Sequence, residues 1–82
     1  MTQARVRLVG KPGCHLCELA RQVVSRVCAE AAVAWDEVSI LDDPVLADRY
    51  WELIPVTLVD GRQVAHWYVE EDVLRAALAG SA

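Results

Sequence analysis

The chain has no Phe, one Met and only five Trp and Tyr side chains among its 82 residues. Its core must therefore be assembled mainly from Ala, Val and Leu, and the 55% hydrophobic fraction is ample for that. No apolar run approaches the roughly 20 residues of a membrane-spanning helix, so no transmembrane segment is expected. Basic residues are in deficit, with eight Lys and Arg against twelve Asp and Glu, giving a net charge of −4. A nucleic-acid surface needs clustered Lys and Arg, and that partner class is set aside. Met1-Thr2-Gln3-Ala4 has neither the basic start nor the apolar stretch of a signal peptide, so a cytoplasmic protein is expected. Cysteine is scarce too. Three of them, an odd count, make a poor disulfide framework; in a reducing compartment they read first as catalytic or metal-binding.

There is also no linker, repeat or low-complexity stretch, and residues 1–82 read as one domain near the lower size limit for unaided folding. Arg5 to Val9 reads as a strand, closed by Gly10 and Pro12. From Cys14 to Ala32, apolar residues recur at Leu16, Leu19, Ala20, Val23, Val24 and Val27, which is helical spacing. Val33 to Ile40 is rich in β-branched and aromatic residues and reads as a second strand. Asp42-Asp43-Pro44 starts a short helix: a carboxylate caps it and proline occupies its first position. That helix runs from Val45 to Tyr50 or Trp51. Val56 to Val59, Asp60-Gly61 and Arg62 to Ala65 form a hairpin, because both turn residues tolerate positive φ. Glu70 to Ala79 closes the chain as a helix with Val73, Leu74, Ala77 and Leu78 inward, and Gly80 stops it. The order βαβαββα predicts an α/β fold with a four-stranded mixed sheet flanked by helices.

The chemistry concentrates in Cys14-His15-Leu16-Cys17, between the Gly10-Lys11-Pro12-Gly13 turn and the first helix. A cysteine at a helix N-terminus faces unpaired N–H groups and the positive end of the macrodipole, both of which favour the thiolate. The second cysteine of C-x-x-C lies about one turn further on, on the same face. Cys14 would attack a disulfide, and Cys17 would then attack the sulfur of Cys14 and release the product. His15, when protonated, adds positive charge beside Cys14 and can tune it. A zinc site needs four ligands. Cys28 lies on nearly the same helix face but about 16 Å along the axis, too far to share a metal or disulfide with the motif. It reads as a small buried hydrophobe, and no metal site is expected. Trp35, Tyr50 and Trp51 read as core or edge packing. His66 reads as a packed or partly exposed hairpin residue.

Strand, K-P-G-C-H-L-C, helix, then Ile54-Pro55-Val56 opening a strand and Val59-Asp60-Gly61 after it: this resembles a glutaredoxin of the thioredoxin superfamily, in particular the small bacterial glutaredoxin-like proteins. The resemblance covers Val6 to about Leu78. It implies a thioredoxin/glutaredoxin-like fold in which Pro55 is cis beside Cys14 and the Ile54 backbone pairs with an extended thiol substrate. It further implies that Lys11 helps hold a carboxylate of glutathione. The sequence departs from the family in three places. Leu53-Ile54-Pro55 replaces Thr-Val-Pro, Leu16 replaces an aromatic residue, and Ala65-His66-Trp67-Tyr68 stands where a glycine pair would lie. Part of a glutathione site is thus missing or rebuilt.

The expectation is a monomeric thiol–disulfide oxidoreductase with Cys14 and Cys17 catalytic, Lys11, Ile54 and Pro55 binding substrate, and His15 tuning. Its substrates would be disulfides of proteins or small molecules. It would bind no cofactor tightly. Glutathione, another low-molecular-weight thiol or a thioredoxin-reductase-type enzyme would supply electrons. One competing reading is a redoxin-fold binding or redox-sensing module that docks partners through the Pro55 edge and Trp67-Tyr68. The other is a glutathione-assisted iron–sulfur carrier.

Overall fold

A computed structural model describes residues 4–80, and Met1, Thr2 and Gln3, part of the leader-segment reading, fall outside it. The elements are β1 (Val6–Gly10), α1 (His15–Ala31), β2 (Trp35–Ser39), a 3₁₀ turn (Ile40–Asp42), α2 (Pro44–Tyr50), β3 (Val56–Val59), β4 (Arg62–His66) and α3 (Glu71–Gly80). The sheet order is β2-β1-β3-β4. β1 runs parallel to β2 and antiparallel to β3, and β4 pairs antiparallel with β3. This is the mixed sheet expected from the element order.

Alternation along the strands divides the core between the two faces of the sheet. Val6, Leu8 and Val59 pack with Ala20, Val24, Val27 and Cys28 of α1 and with Leu74 and Leu78 of α3. Val9, Val56 and Leu58 pack with Tyr50 on the other face. The arginines Arg26 and Arg75 reach Glu71 and Glu30 across the α1–α3 seam. Such exposed pairs add little beside the apolar burial beneath them.

Local chemistry explains the element boundaries. The Asp43 carboxylate accepts the N–H groups of Val45 and Leu46 at 3.0 and 3.2 Å, and Pro44 takes the first position of α2. Asp60 and Gly61 adopt φ of 51° and 82°, the two left-handed positions that a two-residue hairpin requires. β4 carries a register irregularity opposite Thr57 and Leu58.

Four expectations are corrected. The second strand is shorter than Val33–Ile40, because Ile40 turns into the 3₁₀ segment with the Ser39 hydroxyl accepting Leu41 N–H at 3.1 Å. Trp51 is 62% exposed rather than packed. Successive helical residues point about 100° apart, and its neighbour Tyr50 takes the inward direction. Val73 is likewise exposed, since Leu74 and Leu78 carry the buried stripe of α3. Gly80 is the last residue of α3 and does not adopt the left-handed conformation of a terminating cap.

Candidate functional site

Strand direction brings three segments to one end of the sheet. β1 ends at Gly10 and hands the chain to the Lys11–Gly13 turn, where Gly13 has φ of 74°. β3 runs the opposite way, so its start at Val56 lies beside Val9, and Val56 in turn pairs with His66 at the end of β4. The Cys14 turn, the Pro55 loop and the His66-Trp67 turn therefore share this edge.

Cys14 is the N-cap of α1 rather than its first residue, with extended backbone at φ −92° and ψ 114°. Its half-buried sulfur accepts the Cys17 N–H at 3.2 Å, taking the place that a serine or aspartate oxygen usually fills. Its carbonyl accepts the Glu18 N–H at 3.2 Å and starts the helix.

Cys17, one turn on, is only 1% exposed. Burial, reinforced by hydrogen bonding to the Cys14 sulfur, pushes its thiol up to about 11, while the Lys11 backbone N–H works in the opposite direction. The pair thus has an outer, half-buried thiol and an inner, buried one, linked by the bond from the Cys17 N–H to the Cys14 sulfur. Cys28, on the buried face of α1, lies in the core shared with α3, where burial pushes its thiol up as well. Among the described residues, no group of three or more His, Cys, Asp or Glu side chains converges to hold a metal.

Each remaining site residue has a definite place. His15 is 80% exposed, its Nδ1 4.0 Å from Glu18 Oε2. Lys11 is exposed and lines a cleft of about 410 Å³ with Pro12, Arg21, Glu37, Ser39 and Asp42. Arg21 and Glu37 are joined there by two hydrogen bonds of 2.8 and 2.7 Å. The Ile54–Pro55 peptide bond is cis, and Pro55 is buried.

Three features were not visible in the sequence. The Lys11 backbone, and not only its side chain, bears on the cysteine pair, because its N–H lowers the Cys17 thiol against the effect of burial. Gly10 leaves room for that same sulfur. Trp67 adopts φ of 63° and binds the Pro55 loop through its own N–H. The replaced glycine pair was the one available signal for Trp67, because a left-handed position is where glycine would be expected.

The sequence profile of the glutaredoxin-like domain (DUF836) matches residues 5–79. The chain belongs to this family. An uncharacterized protein of Mycobacterium tuberculosis is 28% identical to it, over 99% of this chain and 89% of that protein. A crystal structure of a protein from X. campestris superposes with a TM-score of 0.76 at 29% identity, covering 94% of this chain and 99% of that one. The glutaredoxin from Archaeoglobus fulgidus has the same fold, with a TM-score of 0.67 at 17% identity, covering 95% and 89% of the two chains. The protein is thus a glutaredoxin-like member of the thioredoxin superfamily, of redox type, with its cysteine pair in proximity. No described helix is long and apolar enough to cross a membrane.

Proposed function

We propose that this glutaredoxin-like protein is a dithiol oxidoreductase that reduces disulfides of proteins or small molecules. The observation that supports it most is the unequal placement of two neighbouring sulfurs. Cys14 is half-buried at the helix cap, and Cys17 is buried one turn behind it with its thiol held protonated.

In this reading the Cys14 thiolate attacks one sulfur of a substrate disulfide. That S–S bond breaks, a mixed disulfide forms on Cys14, and the first substrate thiolate leaves and takes up a proton. Cys17 then gives up its proton and attacks the Cys14 sulfur, breaking the mixed disulfide and releasing the second substrate thiolate. Two electrons have passed from the dithiol to the substrate, and the protein is left with a Cys14–Cys17 disulfide. Holding Cys17 protonated keeps it from competing with Cys14 for substrate, and its position confines its attack to the neighbouring sulfur.

The Ile54 backbone and Pro55 form the substrate edge, the Lys11 ammonium is available to a substrate carboxylate, and His15 adjusts the charge beside Cys14. The protein acts as a cytoplasmic monomer with no resident cofactor. A low-molecular-weight thiol such as glutathione, or a thioredoxin-reductase-type enzyme, returns the electrons.

The test is a pair of serine variants assayed for disulfide reduction. Cys14→Ser should abolish turnover. Cys17→Ser should accumulate a mixed disulfide on Cys14, visible by mass spectrometry as the mass of the bound thiol. Wild-type turnover in Cys14→Ser would overturn the mechanism.

A further inference from the structure

Trp67 sits in a backbone conformation that bulky residues seldom adopt. Its φ of 63° lies in the left-handed region, and Tyr68 N–H donates to His66 O at 2.7 Å across it, closing a three-residue turn. Holding a tryptophan there costs backbone strain that a glycine would avoid. The surroundings indicate what the indole contributes in return.

The turn aims Trp67 at the loop that leads into Pro55. Its backbone N–H is shared between Pro55 O at 2.8 Å and Leu53 O at 3.3 Å. Its indole Nε1–H donates to Glu52 O at 3.0 Å. One residue therefore binds three of the four carbonyls from Glu52 to Pro55. The His66 ring braces the indole edge-on, with centroids 4.9 Å apart. Within that loop only Ile54 keeps both its N–H and its C=O unpaired among the described residues. A donor and an acceptor on one residue are what an adjacent extended chain needs to add itself to an edge.

We propose that Trp67 is a positioning residue that fixes the Glu52–Pro55 loop with the Ile54 backbone turned out for an extended polypeptide. The preferred disulfides are then those carried in extended protein segments. A small disulfide without flanking amides cannot use both Ile54 groups. A glycine at residue 67 would preserve the turn and its backbone bonds but could not hold Glu52. Trp67→Phe would keep a ring there but lose the Nε1 donor.

The inference rests on the oxidoreductase reading, and the experiment separates the two. Pre-reduced wild type, Trp67→Phe and Trp67→Gly are assayed in single turnover, with the protein dithiol as the electron source, KM as the half-saturating probe concentration and kcat as the limiting rate. The two probes are a short peptide whose cysteine is in mixed disulfide with thionitrobenzoate, and dithiobis(nitrobenzoate) itself. In each, attack by Cys14 breaks the S–S bond and releases coloured thionitrobenzoate. Both variants should raise KM for the peptide roughly five- to tenfold, the worth of one hydrogen bond, with kcat changed less than about twofold. The ratio of peptide to small-disulfide kcat/KM should fall by the same factor. An unchanged peptide KM, or a parallel loss on both probes, would overturn the proposal.

Should a variant fail to fold, an N-methyl scan of the peptide backbone against wild type decides. One methyl should raise KM comparably, and no effect at any position would overturn the proposal. If wild type turns over neither probe, the oxidoreductase reading fails. The positioning role is then judged by binding of the peptide with serine for cysteine. Tighter binding by wild type than by Trp67→Phe, by that same factor, supports it; equal or absent binding overturns it.

Discussion

The Cys17 sulfur occupies the space that a side chain on Gly10 would need. A Cβ built on Gly10 falls 2.8 Å from Cys17 Sγ and 3.4 Å from its Cβ. Gly10 has no positive φ, so its backbone would accept any residue. The glycine is there because the inner thiol packs directly on the end of β1.

Gly10→Ala should therefore act as an overpacking mutation. The buried sulfur has to shift or the strand has to move, at a cost of about 1–3 kcal/mol in unfolding free energy. Chemical denaturation of the reduced protein measures it. A midpoint equal to wild type would mean that the sulfur has freedom the packing does not suggest.

The three thiols should differ sharply toward an alkylating reagent. Cys14 is half-buried, whereas Cys17 and Cys28 are each 1% exposed and have raised thiol pKa values. Brief iodoacetamide treatment of the native reduced protein near neutral pH should give one adduct, on the peptide containing Cys14. Unfolding in denaturant should expose all three. Peptide mass spectrometry distinguishes the cases, and a Cys28 adduct formed as fast as that of Cys14 would contradict the packing.

Stability should fall in alkali. The Cys17 thiol ordinarily titrates at 9.0 and is pushed up to about 11 in the fold. Between these values the unfolded chain has released the proton and the folded chain has not, so rising pH favours unfolding. The stabilising contribution is complete below about pH 9 and is lost as pH rises toward 11. Cys28, raised by burial, acts in the same direction. Cys17→Ser should flatten the decline of the unfolding midpoint across this window, and an identical slope would remove Cys17 as its source.

Ala32 ends α1 in the left-handed conformation, at φ 56° and ψ 42°. Its N–H returns to Ala29 O at 3.3 Å and that of Val33 to Cys28 O at 2.9 Å, a closing pattern that usually carries glycine. The alanine is exposed, so nothing is lost from packing by removing its methyl. Ala32→Gly should stabilise the protein by about 0.5–1 kcal/mol, the steric relief outweighing the added chain entropy. Thermal unfolding would register this as a higher midpoint, and a lower one would count against the cap.

Much of the fold is legible in the sequence because its signals are local. Asp43-Pro44 caps a helix whatever surrounds it, and Asp60-Gly61 turns a hairpin through backbone sterics alone. The spacing of Ala20, Val24 and Val27 marks the buried stripe of α1, and C-x-x-C at a helix start places two sulfurs one turn apart. Trp51 misleads for the same local reason. Hydrophobicity does not say which of two adjacent aromatic residues faces inward, and only docking of α2 on the sheet gave that place to Tyr50.

Residue type, position and family resemblance single out Cys14, Cys17, Lys11, Ile54 and Pro55 as candidates, and the structure gives each a place without testing its role. The sequence alone determined that two thiols would sit at the start of a helix in a βαβαββα chain. Tertiary structure decided how unlike they are, because the burial of Cys17 depends on how α1 docks against the sheet. Only when β3 runs antiparallel beside β1 does the Pro55 loop come to the end of the sheet that carries the cysteine turn, and only the end of β4 brings Trp67 across to hold that loop. The depth of the Cys17 sulfur, and an Ile54 backbone left unpaired among the described residues, are properties of that assembly, which no local sequence signal encodes.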